Sequence, residues 1–238
     1  LIESAMKIHF SGVTAMLLCE IRIRNKDGLY RYCLVRGKIV ARSMEGTPLR
    51  MVGTCIDVAD RKQEEHLLQA RARFSEYAGS HSLDEIIQAV LDEAERLTGS
   101  TIGFFHFMDA DQETLTLQTW STNTLRHMCS ADGKGRHYPV KEAGVWVDAV
   151  YERRAVIHND YAALPHKKGL PEGHAPVIRE MVAPVIRDNK ISAILGVGNK
   201  PTNYDESDLK ALCSLTTLAW DLVQRKQAEE AVQRSDER

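Results

Sequence analysis

The sequence predicts an α+β protein in which an antiparallel sheet flanked by helices follows a smaller antiparallel sheet and a connecting helix. Three observations predict this class. Short apolar runs of strand length are separated by turn residues such as Asp188-Asn189. Segments with a helical period lie between these runs, as at 59–80. Apolar residues make up 43% and charged residues 27% of the 238 residues, which is ordinary for a folded chain.

Residues 1–58 are predicted to form a short helix followed by three strands in a meander. Apolar and polar residues alternate over 17–23, which is the period of a half-buried strand. Asn25-Lys26-Asp27-Gly28 is typical of a hairpin turn, and strands over about 29–42 and 50–57 follow it. Three strands alone leave an apolar face uncovered, so this segment is expected to be only part of a domain.

Residues 59–80 are predicted to be a helical linker. Leu67, Ala70, Phe74 and Tyr77 are spaced as in the seam of a two-stranded coiled coil. The alternative is a single amphipathic helix that packs on its own domain.

Residues 81–223 are predicted to be a complete α+β domain. Ser82 is a good N-cap for its first helix, and Gly99 is suited to end it. The elements expected after this helix are strands over 102–108 and 114–121, a short helix near 144–153, strands over 180–187 and 190–198, and a helix from about Asp205.

The last helix carries two apolar stripes. One stripe is enough to pack on a sheet, so the second predicts another partner, most simply the same helix of a second subunit. The first stripe contains Leu209, Cys213, Thr216, Trp220 and Val223, and the second contains Leu212, Leu215, Ala219 and Leu222. A homodimer is therefore expected, and residues 224–238 are predicted to be a helical exit linker.

Composition excludes several classes of partner. The 31 basic and 33 acidic residues give a net charge of −2, which disfavours binding to nucleic acid or to an anionic membrane. The longest largely apolar stretch, 13–19, is far shorter than the about 20 residues that a membrane helix needs. Five scattered cysteines without a Cys-x-x-Cys pair predict reduced thiols and a cytoplasmic location. The chain begins on Leu1, so we expect a piece of a longer protein.

The first 62 residues contain a specific resemblance to a known family. The motifs are Glu20-Ile21-Arg22-Ile23-Arg24-Asn25-Lys26-Asp27-Gly28, Tyr30-Arg31-Tyr32, Arg36-Gly37, the run 50–58 and Arg61-Lys62. Together they resemble the C-terminal half of a PAS domain with its PAC motif. One departure is Ala59, where the family usually has Thr in its Asp-Val-Thr exit motif. Because the family's first strands are not in this chain, this half is not expected to hold a cofactor.

Residues 72–224 resemble a GAF domain of the kind found in bacterial and archaeal sensor proteins. The segments that carry this resemblance are Gly144-Val145-Trp146, His158-Asn159-Asp160-Tyr161, Lys168-Gly169-Leu170-Pro171-Glu172-Gly173-His174 and Gly196-Val197-Gly198-Asn199-Lys200. The resemblance implies a sensory module of a histidine kinase or diguanylate cyclase type of protein. Its output domain would be covalently linked to this chain in the parent protein and would lie outside it.

We expect a ligand pocket where aromatic rings and polar tips can converge, because pockets combine apolar walls with a few polar groups. Arg179 could bind a carboxylate or phosphate of the ligand in two contacts; alternatively it lies on the surface. A filled second core under a long loop is the alternative for the aromatic residues. The predicted ligand-binding residues are Phe104, Trp120, Tyr138, Trp146, His158, Tyr161, His174 and Arg179.

Other ligands are disfavoured by the motifs. His158, Asp160, His166 and His174 lack the tight spacing of most metal sites. Cys129 is followed by Ser130, whereas GAF domains that attach a bilin usually have His there. Asn199-Lys200, Tyr204 and Asp205-Glu206 only partly match the signature of GAF domains that bind cyclic nucleotides. The sequence therefore identifies no cofactor and leaves the ligand unknown.

No catalytic motif of a kinase, cyclase, α/β-hydrolase or zinc protease occurs in the sequence. The predicted function is a regulatory module, not an enzyme, which binds a small ligand and relays its occupancy through helices. The alternative is a dimerisation spacer that relays a signal without a ligand.

Overall fold

The computed structural model describes residues 2–26, 30–128, 137–168 and 176–236. The chain divides into two compact units, Leu1–Leu68 and Gln69–Arg238. The boundary falls inside helix α2 (Ala59–Ala78), which is the helix predicted to link two domains. Each unit is described by itself.

The first unit is a three-stranded antiparallel meander with one short helix. It contains α1 (Ile2–Phe10), β1 (Leu17–Arg24), β2 (Tyr30–Arg42) and β3 (Pro48–Asp57), and the strand order is β1-β2-β3. Asp27 and Gly28 of the predicted hairpin turn lie outside the described residues. The imidazole of His9 is buried and accepts a hydrogen bond from the amide of Ile39 (3.3 Å), which ties α1 to β2. Every residue of β3 after Pro48 is exposed, so much of the apolar surface of this sheet stays uncovered.

The second unit is built on a six-stranded antiparallel sheet with the order β6-β5-β4-β9-β8-β7. Its strands are β4 (Ile102–Met108), β5 (Thr114–Trp120), β6 (His137–Pro139), β7 (Val156–His158), β8 (Glu180–Arg187) and β9 (Lys190–Gly198). The mixed α+β architecture with antiparallel sheets is the fold class that the sequence predicts. The short strands β6 and β7 were not predicted, because we expected this middle region to contain only one short helix.

Three helices complete the second unit beyond α2. They are α3 (Leu83–Thr98), α4 (Asp148–Tyr151) and α5 (Glu206–Asp236). The start of α3 is fixed by a capping box, in which Ser82 and Glu85 bond to each other's backbone amides. Gly99 ends the same helix in the left-handed conformation that glycine adopts without strain. Shorter turns of other helical types lie at Thr124–Met128, Val140–Glu142, Val145–Val147 and Tyr161–Ala163.

The two faces of the six-stranded sheet have different cover. One face packs against α3 and α5, and the buried side chains of Phe105 and Leu195 point to it from paired positions. Phe107 on this face meets the indole of Trp220 in α5 (6.3 Å between ring centroids). The opposite face lies under residues 140–151, which we call the roof. The core cluster on this roofed face contains Met108, Leu115, Val140, Ala143, Val147, Ala149, Val150, Val156, Val182, Ile191 and Ile194.

Both apolar stripes of α5 have partners within this chain. Leu212, Leu215 and Ala219 of the second stripe are fully buried, and α5 contacts α3, β8 and β9. We expected that stripe to meet a second subunit, but α3 of the same chain lies against α5. The stripe therefore gives no argument for a dimer.

The predicted seam on α2 is likewise covered in part. Ala70 and Phe74 are buried within the single chain, and so is Ala78, which follows Phe74 by four positions. Arg73 reaches Glu93 of α3 (2.9 Å). Tyr77, the last seam residue, stacks on His81 (3.5 Å between ring centroids). This part of α2 therefore agrees with the alternative to a coiled coil, an amphipathic helix that packs on its own domain.

Within the described ranges, no helix is both long enough and apolar enough to cross a membrane.

Candidate functional site

The candidate site lies on the roofed face, at the end of the sheet away from Met108. Strand register brings its residues together. Phe104 is paired with Trp120 of β5 on one side and with Gly196 of β9 on the other. Because paired residues leave a sheet on the same face, Phe104 and Trp120 both point toward the roof side. Both side chains are only half-buried.

An aromatic cluster of Phe104, His106 and Trp146 forms the centre of this site. The His106 imidazole stacks on the Trp146 indole with 4.6 Å between ring centroids. The Phe104 ring meets Trp146 edge to face at 5.7 Å and His106 at 5.5 Å. Complete burial lowers the pKa of His106 to about 3, so this imidazole is neutral at physiological pH. The cluster therefore presents an uncharged aromatic surface.

Gly196 makes this arrangement of Phe104 possible. A Cβ atom at Gly196 would lie 2.1 Å from Cζ of Phe104, far inside van der Waals contact. The Phe104 ring thus lies directly across the backbone of β9. Gly144 has a similar role in the roof, because a Cβ there would lie 3.2 Å from the Trp146 indole and 3.9 Å from the Tyr161 hydroxyl. The Tyr161 hydroxyl and the Trp146 indole therefore both lie close to Gly144.

A group of charged residues lies at the β7–β8 edge of the sheet, in contact with the roof, and we call it the His158 clamp. Nδ1 of His158 lies 3.0 Å from Oε1 of Glu180, its partner across β7 and β8. Nε2 of His158 lies 3.2 Å from Oδ2 of Asp148, the first residue of α4. The same Asp148 oxygen accepts a hydrogen bond from Nε2 of His166 (2.8 Å). The clamp therefore joins the roof to the edge of the sheet.

The clamp favours the protonated form of His158. The hydrogen bond to Glu180, together with the charges of Glu180, Asp148 and Glu152, raises the pKa of His158 above the usual 6.5, although burial opposes this. Burial and the charge of Glu180 raise the pKa of the Tyr161 phenol. His158 is 11% exposed and Glu180 5% exposed at their side chains, so these interactions are little screened by water.

The structure places five of the eight predicted ligand-binding residues on or near the roofed face. Phe104, Trp120 and Trp146 share this face, the Tyr161 hydroxyl lies near Gly144 of the roof, and His158 lies at the β7–β8 edge of the sheet. Tyr138 contributes backbone pairing to β6, opposite Leu115. His174 lies outside the described residues, and so does Cys129. In the described ranges, no group of His, Cys, Asp and Glu side chains has the arrangement of a metal site.

Arg179 is placed at the junction between β9 and α5 and not beside the aromatic cluster. Its guanidinium donates a hydrogen bond to the carbonyl oxygen of Lys200. At the same junction, Nζ of Lys200 binds Asp208, and the Tyr204 hydroxyl bonds to Oγ of Ser100 (2.7 Å). The residues that partly match the signature of GAF domains that bind cyclic nucleotides thus bond to neighbouring groups of this junction. They form a turn between strand β9 and helix α5.

Sequence reasoning missed four residues of the site. His106 alternates with Phe104 along β4, so the period of the strand could have placed it on the same face. Glu180 opens an otherwise apolar strand, and a charged residue in such a position indicates a buried partner. Nothing in the local sequence indicates that Asp148 contacts His158 or that the Asn159 side chain forms hydrogen bonds with the backbone of Tyr204, because both contacts depend on how distant segments meet.

Comparisons with known proteins agree with this fold. A protein-family model described as GAF domain matches residues 80–224. The chain is similar to the methyl sulfide methyltransferase-associated sensor of Methanosarcina acetivorans, with 43% identity over 184 residues, which is 74% of this chain. The chain spans only 18% of the length of that relative.

Solved structures with similar folds include the GAF domain of a phosphoenolpyruvate-protein phosphotransferase from Coxiella burnetii. The TM-score is 0.56 at 13% identity, covering 69% of this chain and 96% of that one. The corresponding GAF domain from Acinetobacter gives a TM-score of 0.54 at 15% identity, covering 68% and 94% of the two chains. At these identities the likeness concerns the fold alone.

The contact between Gly196 and Phe104 predicts that Gly196→Ala displaces the Phe104 ring. The added methyl group and the ring cannot occupy the same space, and overpacking of this kind costs about 1–3 kcal/mol. Chemical denaturation should show this loss of stability. Gly79→Ala is the matched control, because a Cβ there would come no closer than 3.4 Å to the Glu76 carbonyl oxygen, which is ordinary contact, and would meet no described side chain. Equal stability of the two variants would contradict the described position of Phe104.

Proposed function

The chain belongs to the GAF domain family, and on this basis we propose that its second unit binds a small molecule on the roofed face and relays occupancy through α5. The observation that carries the proposal is the aromatic cluster. Phe104 and Trp146 pack against the roofed core yet keep part of their rings exposed, beside a nearly buried charged clamp. Aromatic surface next to a few oriented polar groups is the usual composition of a ligand site.

The chemistry of the site favours a small planar or amphipathic ligand. The half-buried rings of Phe104 and Trp146 offer flat contact surface, and the buried, neutral ring of His106 stacks on Trp146. The Tyr161 hydroxyl and the His158 clamp offer hydrogen-bonding groups. A filled core, the alternative expected from sequence, accounts for the end of this face near Met108 and Ile194. It does not account for the half-buried rings at the other end.

The relay follows from the two-sided sheet. A ligand on the roofed face contacts strands whose other face packs on α5, so it can favour one of two packings of that helix. From Gln224 to Ser235 the α5 side chains are exposed apart from Lys226, and the helix continues to Asp236. This part of α5 is suited to carry a change to a covalently linked output domain. A histidine kinase or a diguanylate cyclase is the type of parent that we propose.

The first unit is proposed to be the C-terminal part of a PAS domain. Its three-stranded antiparallel meander and exposed apolar strand β3 suit a partial sheet that further strands would complete. A cytoplasmic location is proposed for the module because Cys19, Cys33, Cys55 and Cys213 are free thiols.

Replacement of Trp146 tests the ligand site. With a panel of small metabolites, at least one compound should raise the melting temperature of the unaltered chain, since a ligand stabilises the state that binds it. Trp146→Ala should fold and lose this rise. Because its ring is half-buried, the variant should lose less than the about 3–5 kcal/mol expected for a fully buried ring.

Tyr151→Ala is the matched control for this experiment. Tyr151 is the last residue of α4 and of the roof, but it is 62% exposed, so the rise should persist in this variant. A rise that persists in Trp146→Ala would contradict the site. A panel in which no compound raises the melting temperature would favour the second candidate, a spacer that relays a signal without a ligand.

A homodimer stays a prediction, now based on the exposed end of α5. Val232 is 60% exposed there, and Arg225–Glu229 (2.8 Å) and Arg234–Glu230 (3.9 Å) are pairs within the helix. An unsupported helical segment of this length is marginal in water, so packing against a second copy would stabilise it. Light scattering should give twice the mass of the chain. Val232→Glu should lower that mass, whereas the neighbouring Gln233→Glu should not; a monomer in the unaltered chain would refute the dimer.

A further inference from the structure

We propose that His158 is a proton-sensing site whose protonation state is conveyed to the start of α5 through Asn159. The ligand of this site is the proton itself, so the inference does not require the small molecule of the proposed function. It rests on that function in one respect only, the role of α5 as the helix that carries the signal out of the unit.

The geometry of the His158 clamp fits an imidazolium ion. A carboxylate lies within hydrogen-bond distance of each ring nitrogen, Glu180 at Nδ1 (3.0 Å) and Asp148 at Nε2 (3.2 Å). The protonated ring donates a hydrogen bond to Glu180 and is attracted by the charge of Asp148, whereas a neutral imidazole has a single N–H and cannot satisfy both carboxylates. Loss of the proton therefore leaves one carboxylate facing a nitrogen lone pair, which is repulsive.

Several charged and titratable groups around His158 affect its protonation. Glu180 faces it from β8, and Asp148 and Glu152 face it from α4 and its end. Tyr161 lies near Glu180, and the exposed His166 shares the Asp148 oxygen. The hydrogen bond to Glu180 and the three negative charges raise the pKa of His158 above 6.5. The clamp thus makes its full contribution to the stability of the folded unit below pH 6.5. This contribution is lost as pH rises through the raised pKa of His158.

The proton determines how firmly the roof is attached to the sheet. Asp148 begins the roof helix α4, while His158 and Glu180 belong to the edge strands β7 and β8. When His158 is neutral, one of its two links to these elements is lost. His166 still holds Asp148 at 2.8 Å, but its side chain is 52% exposed and therefore competes with water.

Asn159 connects the clamp to α5. This residue follows His158 directly, and its side chain forms two hydrogen bonds with the backbone of Tyr204. Nδ2 of Asn159 donates to the Tyr204 carbonyl oxygen (3.1 Å), and the Tyr204 amide donates to Oδ1 of Asn159 (2.7 Å). Tyr204 is buried and lies two residues before α5 begins. A displacement of the end of β7 therefore acts directly on the segment that positions α5.

An NMR titration of the unaltered chain without any added ligand tests the proposal. Between about pH 5 and about pH 9, the imidazole signals of His158 should titrate with a midpoint above the ordinary histidine value of about 6.5. His137 is the position for a control variant because it also lies near a carboxylate, Asp109 at 3.6 Å, but is 65% exposed. The amide signal of Tyr204 should move with the same midpoint as His158.

Two variants separate the parts of the inference. In Asn159→Ala, His158 should still titrate, but the Tyr204 amide should no longer follow it. In His137→Gln, both signals should behave as in the unaltered chain. The proposal is overturned if His158 keeps one charge throughout, if its midpoint does not exceed the ordinary value of about 6.5, or if the Tyr204 amide does not follow it. These decisive signals come from the unaltered chain, so a variant that fails to fold leaves the test intact, and no result depends on whether a small molecule binds.

Discussion

The pairing of β4 with β9 at the centre of the six-stranded sheet determines which side chains of the second unit can meet. Its register places Phe105 beside Leu195 under the helices, and it places Phe104 across Gly196 on the opposite face. Since successive residues point to opposite faces, a shift by one position would exchange the two sets of side chains. The aromatic cluster and the packing of α5 therefore both depend on this one register.

Apolar packing holds both faces of the sheet, and the roofed face has charged contacts at its edge as well. On the helix face, burial of residues such as Leu195, Leu212 and Leu215 is complete, and the hydrophobic effect dominates. On the roofed face, the edge of the sheet is joined to the roof by the charged contacts of His158 with Asp148 and Glu180. Apolar packing does not itself depend on pH, whereas charged contacts change when one of their groups gains or loses a proton. The responsive part of the unit is therefore its roofed edge.

Most of the fold could be predicted from the sequence because its long strands and helices carry a clear period. The capping box at Ser82 and the strands 180–187 and 190–198 are examples of such local signals. β6 and β7 contain three residues each, which is too short for a period to be recognised. The two stripes of α5 were visible in the sequence, but a periodic pattern cannot show which element covers a stripe. For the same reason, Arg179 could be placed at the start of a strand but not at the junction with Lys200, where its guanidinium lies.

The most direct test of a ligand site on the roofed face uses the three tryptophans of the chain, Trp120, Trp146 and Trp220. Trp120 and Trp146 belong to the site, whereas Trp220 lies on the helix face against Phe107. Each indole N–H gives its own NMR signal, so Trp220 is an internal control when small metabolites are added to one sample. The account predicts that a ligand shifts the signals of Trp120 and Trp146 first and most strongly. A ligand that shifts only the Trp220 signal, or a panel in which no compound shifts the Trp120 and Trp146 signals, would contradict it.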